Sequence, residues 1–318
     1  MNIKRRFKIK STAQDSMKYW FSSIALFIFA SFVVLPNSQA QRGIREIHQE
    51  RSLYRNIIVT EDSTRRCLRF TITRRTGQNQ SCRFLENPEK LVFPYAKMTL
   101  SSLLVQDNPQ RILIIGLGGG TLPEVYHTLF PEAEIIISEI DEAVLNVAEN
   151  FFDFEQTDKI KVDIGDGRVY VKRAALRNEN FDLVIIDAFN GEYIPEHLMT
   201  QEFLEEIKQL LPENGMLVSN TFSTSRLYDA ESQTYQNVFG EIINMRMNNT
   251  GNRIIIASRQ ALPDLKTLNR RAANWRNRLE VFDMDVTDYP RFMSKEIDWN
   301  TDERPLTDQY SPANLLNN

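Results

Sequence analysis

One stretch constrains this chain more than any other: Ile112-Leu113-Ile114-Ile115-Gly116-Leu117-Gly118-Gly119-Gly120-Thr121. Its apolar run predicts a buried parallel strand, and the glycines lead directly into a helical pattern over residues 122–130. Glycines there let backbone approach a ligand and turn N–H groups toward it at a helix N-terminus. A second apolar run, Ile135-Ile136-Ile137-Ser138-Glu139-Ile140-Asp141, ends in acids roughly 20 residues on, where ribose hydroxyls would be held. A third strand ends at Gly165-Asp166-Gly167, and a fourth, Leu183-Val184-Ile185-Ile186, at Asp187. Four successive strand ends carrying glycine or acid describe a nucleoside-binding edge.

The 318 residues suffice for a substantial core. A formal charge of −4, with no basic-aromatic surface pattern, argues against nucleic acid as a partner. Three histidines and two cysteines, all scattered, argue against a bound metal.

The N-terminus reads as a targeting segment. Lys4, Arg5, Arg6, Lys8 and Lys10 precede an apolar stretch from Tyr19 to Leu35, and Ser38-Gln39-Ala40 offers a small-x-small cleavage pattern. Residues 1–40 are expected to be a signal peptide or an uncleaved signal-anchor. Either places the folded part outside the cytoplasm, exported, periplasmic or membrane-anchored, with a cytoplasmic protein as the alternative. Arg42, Arg45, Arg51 and Arg55 on the far side weaken that orientation. Cys67 and Cys82 fall on two predicted strands around a polar turn, Arg74 to Asn79. They pair if the compartment oxidises and the register brings them together, and otherwise stand as two buried thiols.

Residues 41–105 read as a β-rich module, with alternation in Cys67-Leu68-Arg69-Phe70-Thr71-Ile72 and Ser81-Cys82-Arg83-Phe84-Leu85, and a helix from Pro94 to Val105. The turn Gln106-Asp107-Asn108-Pro109 opens a Rossmann-like domain over 106–262, and 263–318 form a C-terminal extension. Strands and helices alternate from Arg111 to Thr221, which predicts a mostly parallel sheet with helices on both faces. Residues 242–247 and 253–258 flank Asn248-Asn249-Thr250-Gly251-Asn252 and predict a terminal antiparallel hairpin. The expected fold is α/β, a methyltransferase-type Rossmann fold with a seven-stranded sheet behind a small β module.

With these motifs in view, the chain resembles the spermidine synthase (polyamine aminopropyltransferase) family within the S-adenosylmethionine-dependent methyltransferase fold. The likeness runs from about Tyr54 to Arg259 and includes Phe93-x-Tyr95-x-x-Met98. It is closer still to a bacterial spermidine synthase-like branch, through Gly116–Gly120, Asp187–Leu198 and Leu306-Thr307-Asp308-x-Tyr310. The resemblance implies that Gly116, Gly118, Gly120, Gly167 and Tyr95 bind the sulfonium donor, that Glu139 takes the ribose hydroxyls and that Asp166 accepts from the adenine amino group. Asp187 would be the catalytic base, with Asn190, Glu192 and Tyr193 on the acceptor side. The donor would be decarboxylated S-adenosylmethionine or S-adenosylmethionine. The partner would be a small amine or polyamine, with a possible homodimer and membrane contact only through an uncleaved N-terminal segment.

Each residue also has a plainer reading: Asp141 as a helix N-cap, Asp166 as a turn residue, Tyr95 as core, Asp187 as a cap or brace, and His197 as a base or merely a satisfied loop residue. The chain departs from the family where Gly119 replaces an acid in the Gly-rich loop, Asn190 replaces a second acid after Asp187, and Ala96 and Lys97 follow the tyrosine. Two lost carboxylates run against a cationic substrate, which Glu192 and Glu196 could offset. Three functions follow: aminopropyl transfer, an S-adenosylmethionine-dependent methyltransferase, or a non-catalytic exported nucleoside or polyamine-binding protein. An NAD oxidoreductase fits poorly, because Thr121 fills the last position of Gly-x-Gly-x-x-Gly.

Overall fold

The computed structural model describes residues 43–71, 79–189 and 194–312. The first four strands, β1 (Arg45–Arg51), β2 (Asn56–Glu61), β3 (Arg65–Thr71) and β4 (Asn79–Phe84), form an antiparallel sheet in sequence order. Helix α1 (Pro94–Leu100) follows, with Pro94 in its first turn, where the missing N–H costs nothing.

The larger α/β layer then runs β5 (Arg111–Ile115), α2 (Thr121–Leu129), β6 (Glu134–Glu139), α3 (Glu142–Phe151), β7 (Ile160–Ile164), α4 (Gly167–Leu176), β8 (Leu183–Ile186), α5 (Gln201–Leu210) and β9 (Met216–Phe222). It closes with α6 (Tyr228–Phe239), β10 (Ile242–Arg246), β11 (Asn252–Ser258), α7 (Leu265–Glu280) and β12 (Met293–Ser294). The strand order is β12-β10-β11-β9-β8-β5-β6-β7, parallel from β7 to β9 and antiparallel beyond. The chain steps outward from β5 to β7, then returns to β8 on the other side of β5. That reversal opens a crevice at the carboxyl ends of β5 and β8.

Strand alternation divides the core. Ile112 and Ile114 face a layer with α1, α2, α3 and α7, whereas Leu113 and Ile115 face α4, α5 and α6. Both faces of the central sheet are therefore covered, which is why β5, β6 and β8 read as apolar runs.

Two elements escape the sequence reading. The sheet has eight strands, not seven, because Met293 and Ser294 pair with Met245 and Asn244; two residues are too few to show alternation. Helix α6 turns Glu231, Ser232 and Thr234 inward, so its apolar period is faint. Two of these groups, Glu231 and Ser232, accept with Thr221 from Arg253, which is fully buried in β11.

Cys67 and Cys82 lie directly opposite on β3 and β4, in a register that sends both inward, and they are joined by a disulfide. The predicted turn between them lies, apart from Asn79, outside the described residues. With 15 residues of separation, the bond should stabilise the oxidised protein by about 3 kcal/mol over a Cys67→Ser/Cys82→Ser variant. Urea unfolding of both proteins, without reductant, measures the difference.

Candidate active site

The strand ends that stand out in the sequence converge on one cavity of about 310 Å³. Gly116 follows β5, Glu139 ends β6, Asp166 precedes α4 and Asp187 follows β8; all four line it, with Gly118, Gly167 and Tyr95 of α1. The volume suits a small organic ligand.

Gly116 is where the backbone permits no side chain. Its φ is +102°, and a Cβ there would stand 2.4 Å from the carbonyl oxygen of Asp187. Its N–H donates to the Ser138 carbonyl at 2.9 Å, while the Asp187 N–H donates to the Ile115 carbonyl at 2.9 Å. The ends of β5, β6 and β8 are thus locked together.

Glu139 is buried, and its carboxylate is oriented by two backbone donors: Leu117 N–H at 2.9 Å and Asp141 N–H at 3.0 Å. Desolvation nevertheless holds its pKa above the ordinary value. Asp187 accepts from Nδ2 of Asn220 at 2.8 Å; the Tyr95 hydroxyl lies beside it and donates to the Gln80 carbonyl at 3.4 Å. Asn220 accepts in turn from Asn252 at 3.0 Å, and Asn252 from Thr250 at 2.8 Å, so each amide's orientation is fixed. Desolvation pushes the Asp187 carboxyl up to about 6 and, with Asp187 beside it, the Tyr95 phenol well above its usual value. A strand-end acid poised near neutrality in a crevice can take a proton from an attacking nucleophile.

The plainer readings divide. Asp141 caps α3, accepting from Ala143 N–H at 3.2 Å, and also from Ser52 Oγ at 2.5 Å. Asp166 is both cap and wall: Oδ1 accepts from Val169 N–H at 3.0 Å, and Oδ2 from Nε2 of His197 at 2.7 Å. Gly120, expected among the donor-binding residues, does not line the cavity. It holds a left-handed conformation at the start of α2 and packs on the Phe154 ring, which a Cβ would approach to 2.6 Å. Asn190, Glu192 and Tyr193 lie outside the described residues.

Sequence reasoning missed three contributors. Asn220 is a polar residue inside the buried strand Met216–Phe222, a signal that could have been read. Arg55 stacks over Phe70 and donates to the Phe189 carbonyl at 3.1 Å, binding the β module to the loop after β8; no local pattern predicts a partner 134 residues away. Ser81 sits against the Gly-rich loop, where a Cβ on Gly119 would meet its Oγ at 2.7 Å and the Phe152 ring at 3.2 Å. The space for a side chain at residue 119 is already filled. Among the described residues no group of His, Cys, Asp and Glu side chains is arranged to hold a metal ion.

The spermine/spermidine synthase domain model matches residues 93–248. The chain is 46% identical over 295 residues to a polyamine aminopropyltransferase of Vibrio vulnificus, covering 92% of this chain and 98% of that one. It is 32% identical over 197 residues to a polyamine aminopropyltransferase of Chromobacterium violaceum, covering 61% and 74%. Among solved structures, a probable spermidine synthase from Corynebacterium glutamicum superposes with a TM-score of 0.61 at 18% identity, over 81% of this chain and 99% of that one; this likeness concerns the fold.

These relatives correct the expected location. An exported, periplasmic or exterior-facing anchored protein is not what near end-to-end similarity to a polyamine aminopropyltransferase supports. Separately, no helix among the described residues is long and apolar enough to cross a membrane.

Proposed function

The chain belongs to the spermine/spermidine synthase family, and from that premise we propose that it moves an aminopropyl group from decarboxylated S-adenosylmethionine to a small amine or polyamine. The observation that carries the reading is Asp187: an acid raised toward neutrality at the end of β8, held between Asn220 and Tyr95, on the wall of a nucleoside-sized cavity.

The chemistry is a displacement at carbon. The amine lone pair attacks the methylene carbon beside the sulfonium, and the C–S bond breaks with its electron pair going to sulfur. Methylthioadenosine leaves, and the new ammonium gives a proton to the Asp187 carboxylate. Glu139, with both oxygens oriented by backbone N–H groups, would accept the ribose hydroxyls in a fork, and Asp166 would meet the adenine edge. Gly116, Gly118 and Gly167 would allow close approach of backbone to the donor. Phe93, Phe189 and Phe222 on the cavity wall suit the methylenes of an aliphatic amine. Asn190, Glu192 and Tyr193 are assigned to the acceptor side from sequence alone. The chain would work as a β module, a Rossmann-like domain and a C-terminal extension folded around one site.

Replacing Glu139 with Ala should weaken methylthioadenosine binding by about 1.5–3 kcal/mol, the scale of charged hydrogen bonds. Calorimetry on both proteins measures it, and equal affinities would remove the ribose assignment.

Asp187 should set the acid limb of the rate. Its raised carboxyl is protonated below about pH 6 and cannot take a proton there, so turnover should fall as pH drops through that value. Asp187→Asn should lower the rate about a hundredfold or more at neutral pH. A folded-state pKa above the unfolded value means that the ionised, desolvated carboxylate costs stability above pH 6. The Asn variant should therefore unfold at an equal or higher temperature there. Near-normal turnover in the variant would reduce Asp187 to a brace.

Donor choice follows from Gly119. An acid in the loop would repel the carboxylate of S-adenosylmethionine, and this chain has none at that position, so its preference for the decarboxylated donor should be weak. Gly119→Asp alone meets Ser81 Oγ, so the test is Gly119→Asp in a Ser81→Ala background. Side-by-side titration of both donors should show preference shifting toward the decarboxylated one. Strong wild-type selectivity would show that another acid has taken over.

A further inference from the structure

The motif Leu306-Thr307-Asp308-x-Tyr310 has no part in the chemistry above, yet the structure ties it to the cavity wall. Thr307 and Tyr310 exchange backbone hydrogen bonds at 2.8 and 2.9 Å, forming a tight turn that presents Asp308. Asp308 Oδ1 accepts from Arg168 Nη1 at 2.6 Å and from Thr200 Oγ1 at 2.8 Å, and Oδ2 accepts from Arg168 Nη2 at 2.8 Å. Glu206 takes the other side of the same guanidinium, at 2.9 and 2.7 Å. Arg168 is one-tenth exposed and is held above its ordinary pKa by Glu206 and Asp308. It is clamped between two carboxylates, two residues after Asp166.

The same strap fixes the short helical turn Glu196–Leu198. Arg168 Nη1 also donates to the His197 carbonyl at 3.4 Å, Gln201 N–H to the Leu306 carbonyl at 2.8 Å, and Ser311 Oγ to the Glu196 carbonyl at 3.4 Å. His197, so placed, puts Nε2 at 2.7 Å from Asp166 Oδ2, while Val169 N–H holds Oδ1. The carboxylate on the cavity wall is thereby pinned at both oxygens, one by its own helix and the other by a residue that the strap positions.

We infer that the Asp308–Arg168 clasp is a positioning device for nucleoside recognition: it holds His197 against Asp166, so that Asp166 meets the donor's adenine already oriented. The inference rests on the nucleoside reading of the cavity. Neither Asp308 nor His197 takes part in bond making. Their contribution is pre-organisation, which lowers the ordering cost of binding.

The test is calorimetric titration with methylthioadenosine of the full chain and four variants: Asp308→Asn, His197→Ala, His197→Gln, and Asp308→Asn with His197→Ala. Asp308→Asn and His197→Ala should each weaken binding about tenfold, as expected for a lost charged hydrogen bond. His197→Gln, which keeps a donor for Asp166, should recover most of the loss. The double variant should bind no more weakly than the weaker single one, because both changes break one linkage. A merely structural strap would give additive losses that track melting temperature, and that outcome would overturn the inference. So would wild-type affinity in either single variant. His197 is half-exposed, so its variants carry the test even if Asp308→Asn does not fold. Failure of the wild type to bind methylthioadenosine would sink the nucleoside reading and the clasp together; wild-type binding with unaffected variants would sink the clasp alone.

Discussion

The close approach of Gly116 to the Asp187 carbonyl is the contact on which the site depends. Two parallel strands end side by side, and the first turns away through a left-handed residue directly over the second. Any Cβ would force them apart. With the approach intact, the Leu117 N–H reaches the Glu139 carboxylate and the Asp187 side chain projects from its strand end into the crevice. The proposed ribose acid and the proposed base are therefore placed by one backbone event, before any ligand contact.

Desolvation acts on both acids, but their partners differ. Glu139 is met by backbone dipoles fixed by the fold. Asp187 is met by Tyr95 and by the Thr250–Asn252–Asn220 chain of side-chain donors. Amides and a phenol bring no formal charge, so they orient the Asp187 carboxylate without stabilising it as an arginine would. That difference suits the base proposed for Asp187, which would gain a proton during turnover. Arg55, the cation on the cavity wall, lies instead beside Asp141, 3.8 Å from its carboxylate.

What could be read from the sequence was whatever a local pattern encodes. Apolar runs ending in Gly116, Glu139 and Asp187, and the alternating strand before Gly165, mark the strands and the edge where they open. The Asn248–Asn252 turn marks the hairpin. What could not be read depended on partners far along the chain. Helix α6 conceals its inner face because that face solvates Arg253. The two-residue β12 has no period. Arg55 and Ser81 belong to a module that looks separate in sequence. Asp166, read in sequence as a turn residue or an adenine contact, is in the structure a helix cap that also lines the cavity. The leader pattern misled in a different way: a basic-then-apolar order carries information about export only, and the relatives point elsewhere.

Ser81 bears most directly on how this chain differs from its family. An acid missing from a Gly-rich loop looks, in sequence, like a simple deletion of charge. In the structure the vacated volume is occupied by a hydroxyl from β4, 3.3 Å from Thr121 Oγ1, with the Phe152 ring closing the other side. Restoring an acid at residue 119 would require the Ser81 hydroxyl and the Phe152 ring to give way, one of them in the β module. The β module is thus a wall of the site, contributing Arg55, Phe70, Gln80 and Ser81 to the cavity. A Rossmann-like domain alone would lack both this wall and the contact that keeps residue 119 a glycine. Under the proposed function, donor choice would depend on the junction between β4 and the Gly-rich loop, where Ser81 meets Gly119.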